Sequence, residues 1–352
     1  MIAVQVTLAA LGFDAAEEAA LQALSDPALY PARVSSIHKG GFEILSARGT
    51  EQARLFGTLK HRFRQDPAAR PAVGDWVAVR PQGEATPGIA AVLPRRSAFI
   101  RRAAGRRAEP QVVVTNVDTV FLVVGLDVDV SVRRAERYLA TIWESGAQPV
   151  LVLNKGDLVA KLGAEGEAHL ADVRAELAAV ASEVPTLVTS GKAPADAAAL
   201  LRPYLAPGRT VALVGSSGVG KSTLANALLG APLLATRKVR ERDGRGQHTT
   251  TRRALFPIPD LEGRPFGLGM LIDTPGMREL ALWNVEEGLS ELFADIIALA
   301  DTCRFTDCAH RLEPGCAVRE AILQEELDPD RLESYCKLAA EQATQEERAR
   351  RR

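Results

Sequence analysis

Residues Gly215 to Ser222, GSSGVGKS, limit the possible folds of this chain more than any other segment. They follow the apolar run TVALV and precede the run STLANALL, so they match G-x-x-x-x-G-K-[ST] between a strand and a helix. The glycines let backbone N–H groups surround phosphates, Lys221 can reach the β- and γ-phosphates, and Ser222 can bind Mg²⁺. A chance glycine-rich turn is the alternative, and the flanking elements argue against it. The predicted phosphate-binding residues are Gly215, Ser216, Ser217, Gly218, Val219, Gly220, Lys221, Ser222 and Thr223, with Lys221 also catalytic.

The chain around this loop alternates between strand-like and helix-like runs. TVFLVVGL, PVLVLNK, PTLVTS, TVALVGS and GMLIDTPG are almost continuously apolar, as is typical of strands buried on both faces. RRAERYLATIWES, HLADVRAELAAVAS, DAAALLRPYL and KSTLANALLG lie between them and have helical patterns. The alternation predicts an α/β domain with a mainly parallel sheet.

Two further segments at predicted strand ends complete a nucleotide site. In GMLIDTPG, Asp273 can hold the Mg²⁺ shell and Gly276 can meet the γ-phosphate, although a simple strand-ending turn is the alternative. In NKGD, the carboxylate of Asp157 can accept hydrogen bonds from the N1 and 2-amino groups of guanine, which adenine cannot supply. Lys155 can lie across the base, and Asn154 can tie this loop to the phosphate loop.

A third base-contacting loop is predicted at Thr189-Ser190-Gly191-Lys192, where Ser190 and Gly191 would meet the guanine O6. These motifs together resemble those of GTPases, but NKGD and TSGK precede the phosphate loop and DTPG comes last. A circular permutation explains this order, because joining DAAALLRPYL to the first strand through APGRT preserves the contacts of a parallel sheet. The segment after DTPG would then run directly into the C-terminal part of the chain and could pass nucleotide-dependent movement to it.

The N-terminal part of the chain has a different pattern. Residues 1–28 include one helical run, and Arg33 to Pro94 contain about five strand-like runs, ARVSSI, GFEILSA, ARLFGTLKHRF, VGDWVAVRP and GIAAVL. They predict a small barrel of the OB type, with an SH3-like barrel as the alternative. The linker RRSAFIRRAAGRR that follows is either a solvated hinge or a strip that contacts phosphates.

The C-terminal part contains the spacing Cys303-x4-Cys308-x-His310-x5-Cys316. Three thiolates and one imidazole predict a structural zinc site with no open position for water, whereas unrelated cysteines are the alternative. Cys336 lies farther along the chain and is expected to be a small buried residue. The arginines of the tail are interpreted as solubilising.

The combination of barrel, permuted GTPase motifs and C-x4-C-x-H-x5-C resembles the RsgA (YjeQ) family of small-ribosomal-subunit biogenesis GTPases over about residues 30 to 340. The resemblance implies an N-terminal OB-fold β-barrel, a central circularly permuted α/β P-loop GTPase and a C-terminal α-helical zinc-binding domain. It also implies binding of the 30S subunit and its 16S rRNA late in assembly, with GTP hydrolysed to GDP under stimulation by that subunit. The expected domain limits are 1–28 for an N-terminal extension, 29–108 for the barrel and basic linker, 109–284 for the GTPase and 285–352 for the zinc domain and basic tail.

The resemblance also supplies a candidate for the catalytic water. Many GTPases carry a water-positioning Gln after the DxxG glycine, and this chain has Met277 there. The histidine of the family's first switch is then the candidate, which is His248 in GRGQHTTT, and a surface histidine is the alternative. Thr249 and Thr250 are expected to bind nucleotide, and Thr250 to complete the Mg²⁺ shell beside Ser222 and Asp273.

Composition sets the remaining expectations. The net charge is −1, so contact with RNA must come from local patches, and no apolar run approaches the roughly 20 residues of a membrane span. The N-terminal sequence lacks a basic signal-peptide region, so we expect a cytoplasmic protein with no membrane partner. We also expect a monomer. An RNA-binding scaffold with a slow GTPase timer not acting on 30S is the main alternative function. A metabolic kinase fits less well, because NKGD and DTPG serve hydrolysis and switching.

Overall fold

The structure is a computed structural model that describes residues 6–38, 40–57, 59, 63, 66–83, 85–102, 110–127, 130–216, 218–232, 253–273, 293–305, 308–311, 313–336 and 339–340. None of the helices in these ranges has the length and apolarity needed to cross a membrane.

The N-terminal segment forms one short helix that packs on the barrel. Helix α1 (Ala15–Gln22) begins with a capping box, in which the Asp14 side chain accepts a backbone hydrogen bond and Glu17 accepts one from the Asp14 N–H. The ring of Phe13 meets that of Trp76 edge-on at 4.9 Å. The extension is therefore part of the packed structure, although its sequence indicates no role for it.

Five strands close the predicted barrel: β1 (Tyr30–His38), β2 (Gly41–Ser46), β3 (Gly49–Leu55), β4 (Trp76–Gln82) and β5 (Ala85–Val92). β1 pairs with β2, β2 with β3, β3 in parallel with β5, β5 with β4, and β4 again with β1. This closed five-stranded order is the OB arrangement. The strand predicted for residues 53–63 ends at Leu55, because Leu59 and Phe63 reach the barrel core from helical residues four apart.

The basic linker is partly a strand. β6 (Ala98–Arg102) pairs antiparallel with β7 (Pro110–Thr115), and Phe99 of β6 is fully buried. Arg95 forms two 2.8 Å contacts with the buried carboxylate of Asp75, and Arg96 contacts Glu17 at 3.2 Å. Both arginines are therefore paired with carboxylates and do not form a solvated hinge. The other four arginines lie outside the residues whose side chains the structure describes.

The central sheet contains β8 (Thr119–Gly125), β9 (Gln148–Asn154), β10 (Thr186–Val188), β11 (Thr210–Val214), β12 (Ala254–Pro257) and β13 (Met270–Asp273). Its order is β10-β9-β8-β11-β13-β12, and every neighbouring pair is parallel except β12–β13. Side chains along β8 alternate between two apolar clusters, with Leu122 in one and Phe121 and Val123 in the other. Both faces are therefore buried, as the continuous apolar runs predicted.

Helices cover both faces of this sheet: α2 (Val132–Glu144), α3 (Gly156–Leu162), α4 (Ala164–Ala181), α5 (Pro194–Leu201) and α6 (Lys221–Leu229). The C-terminal part contains α7 (Ala294–Ala300), α8 (Ala317–Leu323) and helical residues 329–336. Phe293 packs edge-on against Tyr335 at 5.4 Å, and Phe293 shares an apolar cluster with α2 residues such as Leu139. The C-terminal part thus packs directly on the central domain.

Candidate functional site

The predicted nucleotide-binding segments meet at one edge of the central sheet. The phosphate loop follows β11, NKGD begins at the end of β9, and TSGK follows β10. Since these strands are parallel, their carboxyl ends lie along the same edge, which is where α/β sheets bind ligands. The structure therefore brings together distant segments of the chain, such as Asn154 and Val219, which are 65 residues apart.

The phosphate loop is held by glycines at two close backbone approaches. Gly215 has φ +136°, and a Cβ there would lie 2.2 Å from the Val123 carbonyl oxygen. Gly220 has φ +103°, and a Cβ there would lie 2.1 Å from Nδ2 of Asn154. Any side chain at either position would displace a neighbouring strand or loop, so the motif's glycines fix the loop against the two strands beside it.

Lys221 begins helix α6 and folds back over the loop. Its Nζ donates hydrogen bonds to the carbonyl oxygens of Gly215 at 2.8 Å and Ser216 at 2.5 Å. Ser222 and Thr223 occupy the first turn of the same helix, where free N–H groups and the helix dipole favour a bound anion. The amine of Lys221 is thus hydrogen-bonded to the loop backbone, and we expect it to leave these carbonyls when phosphates bind.

Asn154 connects the three loops. It is buried, its Nδ2 donates to the Val219 carbonyl at 2.7 Å, and its Oδ1 accepts from the Thr189 hydroxyl at 3.1 Å. The backbone N–H of Gly156 donates to the Thr189 carbonyl at 2.9 Å. A single amide therefore sets the distance between the phosphate loop and both base loops. Thr189 was predicted as part of the third loop, but its hydrogen bond to Asn154 was not predicted.

Asp157 presents an ionised acceptor in the predicted base site. The Ser190 hydroxyl donates to its carboxylate at 2.9 Å, and Lys192 forms an ion pair with it at 2.6 Å. The hydrogen bond from Lys192 is the main reason that the pKa of Asp157 lies below its ordinary value, and the one from Ser190 lowers it further. Lys155 has φ +70°, and its amine pairs with Asp127, a residue that no motif marked.

The phosphate end of the site is described only in part. Asp273 is the last residue of β13 and pairs with Ala254 of β12, which puts its backbone beside the phosphate-loop strand. Arg134 of α2 donates to the Ser216 hydroxyl at 3.1 Å, although its position in the sequence gives no hint of this contact. The predicted residues Ser217, His248, Thr249, Thr250 and Gly276, together with Met277, lie outside the described residues.

The four predicted metal ligands form a compact cluster. The ligand atoms of Cys303, Cys308, His310 and Cys316 all lie within 4.8 Å of one another. Sγ of Cys303 is 3.9 Å from Sγ of Cys316, and Nδ1 of His310 is 3.7 Å and 3.4 Å from these two sulfurs. A tetrahedral zinc site with ordinary bond lengths has S···S edges of about 3.8 Å and S···N edges of about 3.6 Å. The cluster could therefore hold a metal ion of that size.

The backbone around the cluster supports the charge states that a metal requires. Burial opposes ionisation of the Cys303 thiol, but N–H groups of Val318 and Ala317 at the start of α8, with neighbouring thiols, hold its pKa below the ordinary value. Burial lowers the pKa of His310, which favours the neutral imidazole that binds metals. Cys336 is outside the cluster and is partly buried.

The sequence of this chain matches a family of known proteins. The family model described as RsgA GTPase matches residues 92–283. A curated relative, the small ribosomal subunit biogenesis GTPase RsgA of Opitutus terrae, is 48% identical over 96% of this chain and 90% of its own length. The relative of that name from Xanthomonas euvesicatoria pv. vesicatoria is 45% identical over 94% of this chain and 86% of its own.

Two solved structures have a similar fold. The crystal structure of YjeQ from Thermotoga maritima is 28% identical with a TM-score of 0.61, covering 90% of this chain and 99% of that one. YloQ, described as a circularly permuted GTPase, is 22% identical with a TM-score of 0.62, covering 90% of this chain and 96% of that one. The permuted strand order inferred from the motifs is therefore an arrangement already seen in a solved protein.

Proposed function

Because the chain belongs to the RsgA GTPase family, we propose that it hydrolyses GTP in the late assembly of the small ribosomal subunit, which stimulates the reaction. The 48% identity to a relative of that name extends over 96% of the chain, so it includes the barrel, the nucleotide site and the cysteine cluster. The observation that carries the proposal is the junction at Asn154, which joins a phosphate loop to a loop with a guanine-type carboxylate.

The roles of the site residues follow from their chemistry and placement. Asp157 accepts hydrogen bonds from guanine, Lys155 covers the base, and Ser190 and Gly191 lie at its O6 side. Residues 215–223 surround the phosphates, and Lys221 moves from the loop carbonyls to the β- and γ-phosphates. Bound Mg²⁺ neutralises charge on the phosphates, and Ser222, Thr250 and Asp273 are the residues proposed to hold it.

We propose that His248 positions the attacking water. Met277 has no donor or acceptor suited to orienting water, so the position that many GTPases use for a glutamine cannot serve here. His248 lies between the phosphate loop and Asp273 in the chain, in the segment expected to close over the γ-phosphate. Gly244 and Gly246 give this segment the freedom to close when a partner is bound.

The remaining proposals concern the metal and the partners. The cysteine cluster holds structural Zn²⁺, because its spacing matches a tetrahedral site and four protein ligands leave no open position. The barrel and the arginines outside the described residues contact 16S rRNA. The protein acts as a cytoplasmic monomer. Its N-terminal extension, barrel, GTPase domain and zinc domain meet at residues 28/29, 108/109 and 284/285.

The experiment is to measure GTP turnover by the purified protein with and without small ribosomal subunits. We expect strong stimulation for the wild type, and for His248→Ala we expect unchanged GTP binding with most of the stimulated turnover lost. His169→Ala, on α4, is the matched control and should behave as wild type. Binding to the subunit without stimulation would favour the scaffold alternative, and full stimulation of His248→Ala would reject the role of His248.

A further inference from the structure

Ser216 in the phosphate loop is held by two cations from different elements. Lys221 donates to its carbonyl oxygen at 2.5 Å, and Nη1 of Arg134 donates to its hydroxyl at 3.1 Å. The first contact is temporary, because Lys221 is needed at the phosphates of a bound nucleotide. The contact with Arg134 does not compete with the nucleotide, since it uses the side chain of Ser216 and not the backbone N–H groups.

The helix that carries Arg134 is held firmly from two sides. Ala135, Leu139 and Ile142 of α2 are buried against the central domain. On the C-terminal side, Arg133 pairs with Glu333 at 2.9 Å, and the Glu136 side chain is hydrogen-bonded to Ser334. The backbone of Arg134 is therefore fixed before nucleotide binds, and only its exposed side chain has to be ordered for the contact.

The phosphate loop needs such an anchor. Gly215, Gly218 and Gly220 all have positive φ, so the loop backbone has many accessible conformations once Lys221 leaves it. Asn154 fixes the loop at Val219, near the helix, and Arg134 fixes it at Ser216, near the strand. The two contacts thus hold opposite ends of the segment that must wrap the phosphates.

We propose that Arg134 is a positioning residue that keeps the phosphate loop in its nucleotide-binding conformation by holding Ser216. The inference rests on the proposed function only in taking GDP and GTP as the ligands. Arg134 acts through Ser216, so its effect appears in nucleotide affinity and KM and leaves the chemical step of the bound GTP unchanged. Lysine keeps the charge but not the position of Nη1, which makes the single contact with Ser216, so we expect it to restore only part of the effect.

The test is a double-mutant cycle on nucleotide affinity. Dissociation constants for fluorescent GDP and for a non-hydrolysable GTP analogue are measured for wild type, Arg134→Ala, Arg134→Lys, Ser216→Ala and the double alanine variant. We expect Arg134→Ala to weaken binding about five- to tenfold, the size of one ordinary hydrogen bond because the contact is exposed to solvent, with kcat of the free protein within about twofold. Arg134→Lys should recover less than half of the loss.

The double variant decides the mechanism. If Arg134 acts through Ser216, adding Arg134→Ala to Ser216→Ala should cost less than about twofold, because the contact is already lost. Losses that multiply in the double variant, or an unchanged affinity of Arg134→Ala, would overturn the proposal. Arg174→Ala, an exposed arginine on α4, controls for charge and should match wild type. A wild-type protein that binds no guanine nucleotide would instead reject the GTPase function itself.

Discussion

Arg33 joins the barrel to the central sheet, and its replacement should open that joint. The side chain is fully buried and donates to the carbonyl oxygens of Gly74 at 3.1 Å, Leu11 at 2.6 Å and Asn116 at 2.9 Å, and to the Thr210 hydroxyl at 2.8 Å. These partners belong to the barrel, the N-terminal extension, the segment before β8 and the first residue of β11. One guanidinium therefore connects four parts of the chain.

The loss of stability expected for Arg33→Met is the difference between two opposing contributions. Burial lowers the pKa of Arg33 to about 10 from 12.5, which corresponds to about 3 kcal/mol of cost for keeping the charge inside. Hydrogen bonds from a charged donor contribute about 1.5 kcal/mol or more each, so the four of them supply about 6 kcal/mol. The difference predicts that Arg33→Met lowers the free energy of unfolding by about 3 kcal/mol, since methionine fills the space but leaves the four acceptors without their donor.

Trp76 provides a local assay for this joint. It is fully buried, and the guanidinium of Arg33 lies 5.7 Å from its ring centroid. In a background with Trp143→Phe and Trp283→Phe, Trp76 is the single tryptophan, and its emission should shift to longer wavelength when the joint takes up water. Urea titrations followed at this signal should show an earlier transition for Arg33→Met.

The control is Arg54→Met, an exposed arginine of β3 in the same barrel, which should change stability by less than about 0.5 kcal/mol. Arg33→Lys, which keeps the charge with fewer donors, should fall between wild type and Arg33→Met. A transition of Arg33→Met that coincides with that of Arg54→Met would refute the reasoning, because it would mean that the four hydrogen bonds do no more than offset the buried charge.

Three other predictions concern the base site, the domain contact and the metal. Asp157→Asn should weaken GTP binding by at least about 100-fold and favour xanthosine triphosphate, measured by nucleotide competition, because an amide can donate to the C2 carbonyl of xanthine. Burial raises the pKa of Glu136, so the folded state binds the proton more tightly and stability falls as pH rises through the folded pKa. Glu136→Gln should therefore raise the melting temperature at pH 8 and not at pH 4, whereas exposed Glu167→Gln should change neither. Cys316→Ser should abolish the bound zinc found by elemental analysis, and Cys336→Ser should retain it; equal zinc in both would contradict the proposed site.

The local parts of this fold could be predicted because their signals are local in the sequence. Three patterns each indicate a local geometry from residues close together in the chain: the glycines of the phosphate loop, the spacing of Cys303 to Cys316 and the apolar strands. The capping box at Asp14 and Glu17 is of the same kind, since residues three apart at a helix start satisfy each other's backbone. Such patterns predict an element without knowledge of what packs against it.

The contacts between domains could not be predicted in this way. Arg33 lies in the run ARVSSI, where an arginine would ordinarily indicate an exposed strand position. Its partner Thr210 is 177 residues away in the chain. The sequence predicted a basic linker at Arg95 and Arg96, because their acceptors, Asp75 and Glu17, lie in distant elements that the sequence does not associate with them. A buried ion pair is specified by tertiary packing, and its partners leave no periodic signal.

These unpredicted contacts place both flanking domains against the nucleotide site. Ser36 of the barrel pairs with Ala254, and Ala254 pairs with Asp273, so the barrel is two strands away from the residue proposed to hold Mg²⁺. Arg33 also ties the same barrel strand to Thr210 at the amino end of β11, so the barrel contacts the sheet at two separate places. The C-terminal domain meets α2, whose first turn reaches the phosphate loop. We propose that a partner in contact with both domains would act on the site from two sides, which would let one large ligand stimulate hydrolysis.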